Sequence, residues 1–357
     1  MLDSFSLRAK LLSRIAAIFL LAMGLLTTSG CNTLFGVKQK VSVPPLLTPL
    51  AEADTARLIE EVNRLAAVRS IRGKVDLQFQ DTSFAESGVA ERYRTADGTV
   101  VLQRPGQIWL TIQAPFAIDI AQMTSDGERF RVAVLKGDEK YRRFVRGTNA
   151  AAYPKLEVDE LQGGEEKRDR AKMNERAVSV LSNLRPQHFT DALLIRPIPP
   201  RVESGFVYSQ SEFYDEQADT RPRARSGARV VRGYYLLDEL APGGPYGVHL
   251  TRRFWFDRVS GIRLARLQTF DDAGTLLTDV TYGELRSFGE DGRFRLPSRV
   301  ELTRPQDRYK LSVSYQAPEA VVIDRAYDPE IFVLENKWQL PEVDLDAQQR
   351  QRTMGKQ

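Results

Sequence analysis

Cysteine is almost absent from these 357 residues: Cys31 is the only one. A single thiol forms no internal disulfide, and without a C-x-x-C pair it neither holds zinc nor runs dithiol redox chemistry. Histidine is nearly as scarce, with only His188 and His249. The chain also lacks G-x-S-x-G, H-E-x-x-H, a Walker-type loop and a dinucleotide fingerprint, so the enzyme classes marked by those motifs have no support. Charge of one sign is missing too. Lys and Arg number 51 against 47 Asp and Glu, leaving a formal net charge of +4, too small an imbalance to indicate nucleic acid as a partner. What is present, 27% charged and 42% hydrophobic residues, describes a soluble globular body.

The one cysteine ends a signal-like segment. Arg8, Lys10 and Arg14 form a basic leader, Ile15 to Leu26 is apolar, and Thr27, Thr28, Ser29 and Gly30 lead into Cys31. The apolar run is too short to cross a hydrocarbon core of about 30 Å but suits a secretory signal. This order resembles the lipobox of bacterial lipoproteins, in which the cysteine is acylated and becomes the first residue; Thr28 stands where an apolar residue is usual. An uncleaved short anchor and an ordinary secretory signal with a stray cysteine are the competing readings. The resemblance implies a signal peptide over residues 1–30 and covalent lipid, palmitate among its chains, on Cys31. One acyl chain binds a bilayer marginally, whereas several anchor a protein durably. Asn32 rather than Asp follows the cysteine, which in such families favours the outer membrane, facing the periplasm, over the inner one. Removal of Asp3, Arg8, Lys10 and Arg14 with the signal lowers the net charge from +4 to +2.

Residues 31–50 contain "VPPLLTP", whose prolines suit an extended tether. A helix is predicted next: Asp54 caps "DTARLIEEVNRLAAV", and Leu58, Ile59, Val62, Leu65 and Ala66 recur at helical spacing. From Arg72 the period becomes two. Val75, Leu77 and Phe79 share one face, as do Ile108, Leu110 and Ile112, then Phe130, Val132 and Val134, the mark of half-buried antiparallel strands. "ADGT", "RPGQ", "SDGE" and "KGDE" punctuate them as hairpin turns. A second helix is predicted over Gly164–Leu184, with Met173, Ala177, Val180, Leu181 and Leu184 as its apolar stripe and Pro186 closing it. Strands resume from "GFVYSQSEFY" to "YKLSVSYQ". About ten to twelve one-sided strands with few helices imply a mainly β body, one large curved antiparallel sheet with its concave apolar face covered by helices. Asp257, Asp271 and Asp272 lie where hairpins place Asp near Gly and read as turn chemistry, not as metal ligands or general acids. His188 reads as a surface or helix-capping residue, and His249 sits at a strand start with no carboxylate partner visible in the sequence. A carboxylate-only hydrolase stays open, without a residue pattern to support it. The basic run "RPRARSGAR", with Arg221, Arg223, Arg225 and Arg229, lacks aromatics and reads as a solvated loop, with contact to anionic headgroups or a partner as the minority option.

The succession "IRGKVDLQFQ", "RPGQIWLTIQAPFAIDIAQMTSDGERFRV", "RRFWFDRVSGIRLARLQTFDDAGTLLTDVTYGEL" and "RLPSRVELTRPQDRYKLSVSYQ" resembles the superfamily of the bacterial lipoprotein carrier LolA and the outer-membrane receptor LolB. The resemblance implies an unclosed β-barrel over residues 51–335 with a helical lid and a hydrophobic hollow for acyl chains, and a polar, disordered tail over 336–357. Val75, Leu77, Phe79, Ile108, Leu110, Ile112, Phe254, Phe256, Leu311 and Val313 are then the candidates for the acyl pocket. No catalysis, no metal and no cofactor beyond the lipid on Cys31 are expected. The expected partners are membrane lipid and acylated lipoproteins or a periplasmic lipoprotein carrier, with the chain itself a monomer. In the receptor branch a Pro-Leu-Gly turn exposes its Leu to the membrane. Here Pro115 matches the Pro, Phe116 takes the Leu position and Ala117 replaces the Gly, which makes Phe116 the candidate membrane hook, with a place in the core as its alternative. The competing function is a scaffolding outer-membrane lipoprotein with a filled core and a protein partner.

Overall fold

A strand forms where apolar side chains alternate, and this chain does so repeatedly. The structure, a computed structural model, describes residues 43–82, 91–92, 95–114, 118–137, 139, 142–151, 153, 185–199, 205–243 and 247–354. The signal segment with Cys31, the hook candidate Phe116 and the helix predicted over 164–184 lie outside the described residues.

Helix α1 (Thr55–Ala66) begins at Asp54, whose side chain accepts a 2.9 Å hydrogen bond from the Arg57 amide, satisfying one of the amides a helix start leaves unpaired. Leu58, Val62, Leu65 and Ala66 are its buried stripe. Two antiparallel meanders follow. The first comprises β1 (Ser70–Asp81), β2 (Glu91–Arg92), β3 (Ala96–Gln103), β4 (Gln107–Ala114), β5 (Ile118–Asp126), β6 (Arg129–Val134) and β7 (Arg143–Thr148). After α2 (Pro186–Leu193), the second comprises β8 (Val207–Ala218), β9 (Arg229–Pro242), β10 (Val248–Asp257), β11 (Arg263–Phe270), β12 (Leu276–Tyr282), β15 (Arg299–Arg304) and β16 (Tyr309–Tyr315). The hairpin β13 (Leu285–Phe288) with β14 (Phe294–Pro297) stands apart, and the short β17 (Val322–Ile323) and β2 both pair with β1.

The meanders join along β1 and β16, where Val75 faces Tyr315, Leu77 faces Val313 and Phe79 faces Leu311. The result is one large sheet running from β8 at one edge to β7 at the other, where β18 (Glu342–Asp344) pairs in parallel. No ladder joins its two edges among the described residues, so the sheet curls without closing. Helix α1 packs against β8 and β11, and α2 against β4, β5 and β15, so helices cover the inner face as the period-two reading expects.

Residues 336–354 differ from the disordered tail read in the sequence over 336–357. Trp338 and Leu340 pack on a small cluster of Ala133, Phe144 and Leu334. β18 then pairs in parallel with β7, and α3 (Leu345–Met354) follows. The edge of β7 would otherwise leave backbone groups unpaired; instead the Phe144 amide donates to Pro341 O at 2.9 Å and Arg146 meets Asp344 at 3.2 Å. The polar composition of the segment concealed a partner far away in the chain.

Candidate functional site

The inner face of the sheet is not uniform along its strands. On β1, Val75 and Leu77 are buried while Phe79 and Asp81 are half-buried. On β10, Phe256 and Phe254 are fully buried, and the next inward position is Arg252. On β9 the row runs Tyr235, Leu237, Glu239, and on β16 it runs Val313, Leu311, Tyr309. These last members border a cavity of about 800 Å³, which Phe79, Phe206, Leu267, Phe270, Leu277 and Val280 line with apolar surface and α2 lines with Gln187, His188 and Asp191.

Of the ten residues expected to line an acyl pocket, only Phe79 borders this cavity; its ring lies 5.6 Å from that of Tyr309. The other nine, Val75, Leu77, Ile108, Leu110, Ile112, Phe254, Phe256, Leu311 and Val313, belong to the closed core together with Phe189, Leu194, Ile195 and Ile198 from α2 and the segment after it. Alternation identifies the inward face of a strand, but how far along that face the interior is filled depends on what packs over it.

Charged groups enter the cavity wall where the packing stops. Arg252 and Glu239 are both buried and meet through Nε and Oε1 at 2.7 Å, and Glu239 also accepts from Tyr208 Oη and Thr251 Oγ1, both at 2.9 Å. Burial acts to raise the Glu239 carboxyl, but these donors, Arg252 first, hold it below its ordinary value. Removing one partner alone would leave an uncompensated buried charge. Arg304 donates to Asp307 at 2.8 Å and to Thr278 Oγ1 at 2.7 Å.

His188 is neither a surface residue nor a cap. Its Nδ1 lies 2.6 Å from Tyr309 Oη, and burial, with Arg304 as the next cause, pushes its pKa down to about 3. The imidazole is therefore neutral at pH 7 and shares a hydrogen bond with the tyrosine hydroxyl, whose own pKa burial raises. Asp191 exposes surface to the cavity yet is walled in by protein, and burial raises its pKa. Arg185, just before α2, holds its Cζ 5.0 Å from the ring centroid of Phe130 and 5.1 Å from that of Tyr153. Its Nη1 is buried without a hydrogen-bond partner, and burial lowers its pKa.

Asp271 is a turn residue, accepting from the amides of Ala273 at 3.0 Å and Thr275 at 2.7 Å. Asp257 does more than shape a turn: it accepts from the Val259 amide and also joins Arg232 at 2.9 Å to Arg263 at 3.0 Å in a buried junction. His249 does have a carboxylate partner, its Nε2 standing 3.2 Å from Asp272 Oδ1 across the β11–β12 turn. The Arg221–Arg229 run is exposed, with Arg221 paired to Asp219 and Arg229 to Glu216. No helix among the described residues is long and apolar enough to cross a membrane. Reasoning from sequence missed Arg185, Asp191, Glu239 and Arg252 as cavity residues. A signal existed for two of them, since Arg252 shares the parity of Phe254 and Glu239 that of Leu237.

Fold and cavity together define an open, curled sheet with helices on its inner face and an amphiphilic hollow at one end. Solved structures similar to the chain include a LolA superfamily protein from Nitrosomonas europaea, 11% identical over 79% of this chain and 99% of that one, with a TM-score of 0.38. Others are a DUF1329 family protein from Desulfovibrio piger, 8% identical over 78% and 95% with a TM-score of 0.35, and a domain from Vibrio parahaemolyticus whose name places it in outer membrane lipoprotein sorting, 8% identical over 78% and 97% with a TM-score of 0.37. No protein-family model matches the chain, and the comparison with curated proteins finds no match.

Proposed function

We propose that the chain is an envelope lipoprotein, anchored through Cys31 to the periplasmic face of the outer membrane, that binds an acylated amphiphile in its half-barrel without catalysing a reaction. The observation that carries this reading is the cavity of about 800 Å³ lined by both apolar and charged side chains. Its size falls within the several hundred to about 1,000 Å³ usual for small-molecule sites, and apolar contact at about 25 cal/mol per Å² is enough to hold a chain without covalent chemistry. Membrane lipid and acylated lipoproteins are the partners this chemistry fits, and the LolA-like resemblance of the sequence agrees with a role in lipoprotein transport.

A scaffolding lipoprotein is the second reading, favoured by the nine pocket candidates that sit in closed core. Native mass spectrometry of the Cys31→Ala protein separates the two. Co-purified acyl lipid, released on denaturation, is the expected result; protein free of lipid after gentle isolation, and unable to take up added lysophospholipid, would sink the binding reading and leave the scaffold.

A further inference from the structure

Arg185 has a charge that no direct ion pair answers among the described residues, the Asp307 carboxylate acting on it only through space. Arg252 and Arg304, the other arginines deep in the same wall, each have a carboxylate, Glu239 and Asp307. Arg185 has no ion pair among the described residues, its Nη1 is buried without a hydrogen-bond partner, and its Cζ lies 5.0 Å from the ring centroid of Phe130 and 5.1 Å from that of Tyr153. Phe130 is itself fully buried. Aromatic faces attract a guanidinium but accept none of its directional hydrogen bonds. A buried polar group left in this state calls for a missing partner, and a guanidinium prefers a planar or multi-oxygen anion that takes its fork of donors. Arg185 borders the hollow, with Phe79, Phe206 and Phe270 also in its wall.

We propose that the cavity takes an anionic single-chain amphiphile, its chain along the apolar wall and its carboxylate or phosphate head against Arg185. This rests on the amphiphile reading above and adds the class of headgroup and the residue that selects it. Arg185 is a binding residue here, and no bond is made or broken. Neutral amphiphiles of equal length would gain the same chain contacts but leave the guanidinium unanswered, so discrimination should fall on the head and not on the tail.

Equilibrium binding to the full chain in nanodiscs of zwitterionic lipid, corrected with empty nanodiscs, tests this with three probes: laurate, dodecanol and inorganic phosphate. Wild type is expected to bind laurate at least about tenfold more tightly than dodecanol, the scale of one charge-assisted hydrogen-bonded contact, and to bind inorganic phosphate far more weakly than laurate. Arg185→Gln should remove the preference for laurate while keeping the affinity for dodecanol, and Arg185→Lys should restore part of it. Equal affinity for laurate and dodecanol in wild type, or a preference that survives Arg185→Gln, would overturn the headgroup assignment while leaving the amphiphile reading intact. Failure of both chain probes to bind would overturn the amphiphile reading and this assignment with it. Phosphate binding as tight as laurate would show an anion site with no use for a chain, which also overturns it. Should Arg185→Gln fail to fold, the laurate-to-dodecanol ratio of wild type and of Arg185→Lys decides alone.

Discussion

Along β1 and β10 the inward side chains change character within a few positions. At Val75, Leu77, Phe254 and Phe256 the interior is closed by α1, α2 and the facing strands, whereas at Phe79, Asp81 and Arg252 the same rows border a hollow that also admits Arg185, Asp191 and His188. Both regions are extended strand with the same inward rows, so the difference comes from what covers the sheet. Closed packing needs a side chain to fill each gap, and a hollow needs polar groups whose partners are supplied from within the wall or by a guest.

Four experiments would break or sharpen that contrast. Phe254→Ala, in the closed region, is expected to cost about 3 to 5 kcal/mol in denaturant unfolding; a loss below about 1 kcal/mol would mean that the region is not closed. Leu110→Trp should cost about 1 to 3 kcal/mol by overpacking and leave any acyl binding unchanged, because Leu110 does not border the cavity. Phe79→Ala removes a ring that is only half-buried, so a stability loss of about 1 to 2 kcal/mol is expected alongside a clear drop in retained acyl lipid by native mass spectrometry. The opposite pattern, a large stability loss with lipid retention untouched, would move Phe79 into the closed core.

The smallest effect concerns acid. His188 has its pKa pushed down to about 3 by burial, against an ordinary value of 6.5. Between those values the unfolded chain binds the proton that the folded one refuses, so this group lowers stability as pH falls from about 6.5 towards 3. Asp191, raised by burial, acts in the opposite sense over the range above its ordinary value. His188→Gln should therefore flatten the loss of stability between about pH 6.5 and pH 4.5; a slope equal to that of wild type would show that the imidazole is free to protonate in the folded protein.

The legible part of this molecule is the part specified by short-range pattern. The Asp54 cap, the α1 stripe, the strand faces and the Asp271 turn all depend on residues within a few positions of one another, and each stands where the pattern puts it. The hollow does not depend on such neighbours. Phe79 and Tyr309 meet because β1 and β16 pair, and His188 reaches Tyr309 because α2 is laid across the sheet. The partner of His249 lies in a separate turn, and the ordered end of the chain depends on the free edge of β7. Arg252 and Glu239 are the instructive intermediate: their inward parity is readable in the sequence, and charge at an inward position marks where the filled core gives way to the cavity.

The seam between the two meanders has a kinetic consequence. Within each meander most pairings join strands that are close in sequence, but Val75 meets Tyr315 about 240 positions away, a separation that places the seam among the high-contact-order pairings that form late. Each meander can zip from its own hairpins, while closing the seam waits until β16 has emerged and found β1. Pulse-labelled hydrogen exchange during refolding should then protect the amides of β9 and β10 before those of Val75 to Asp81 that face β16. Until that moment a long apolar strand has an uncovered edge, which leaves the half-folded chain open to pairing with other chains well before the sheet is whole.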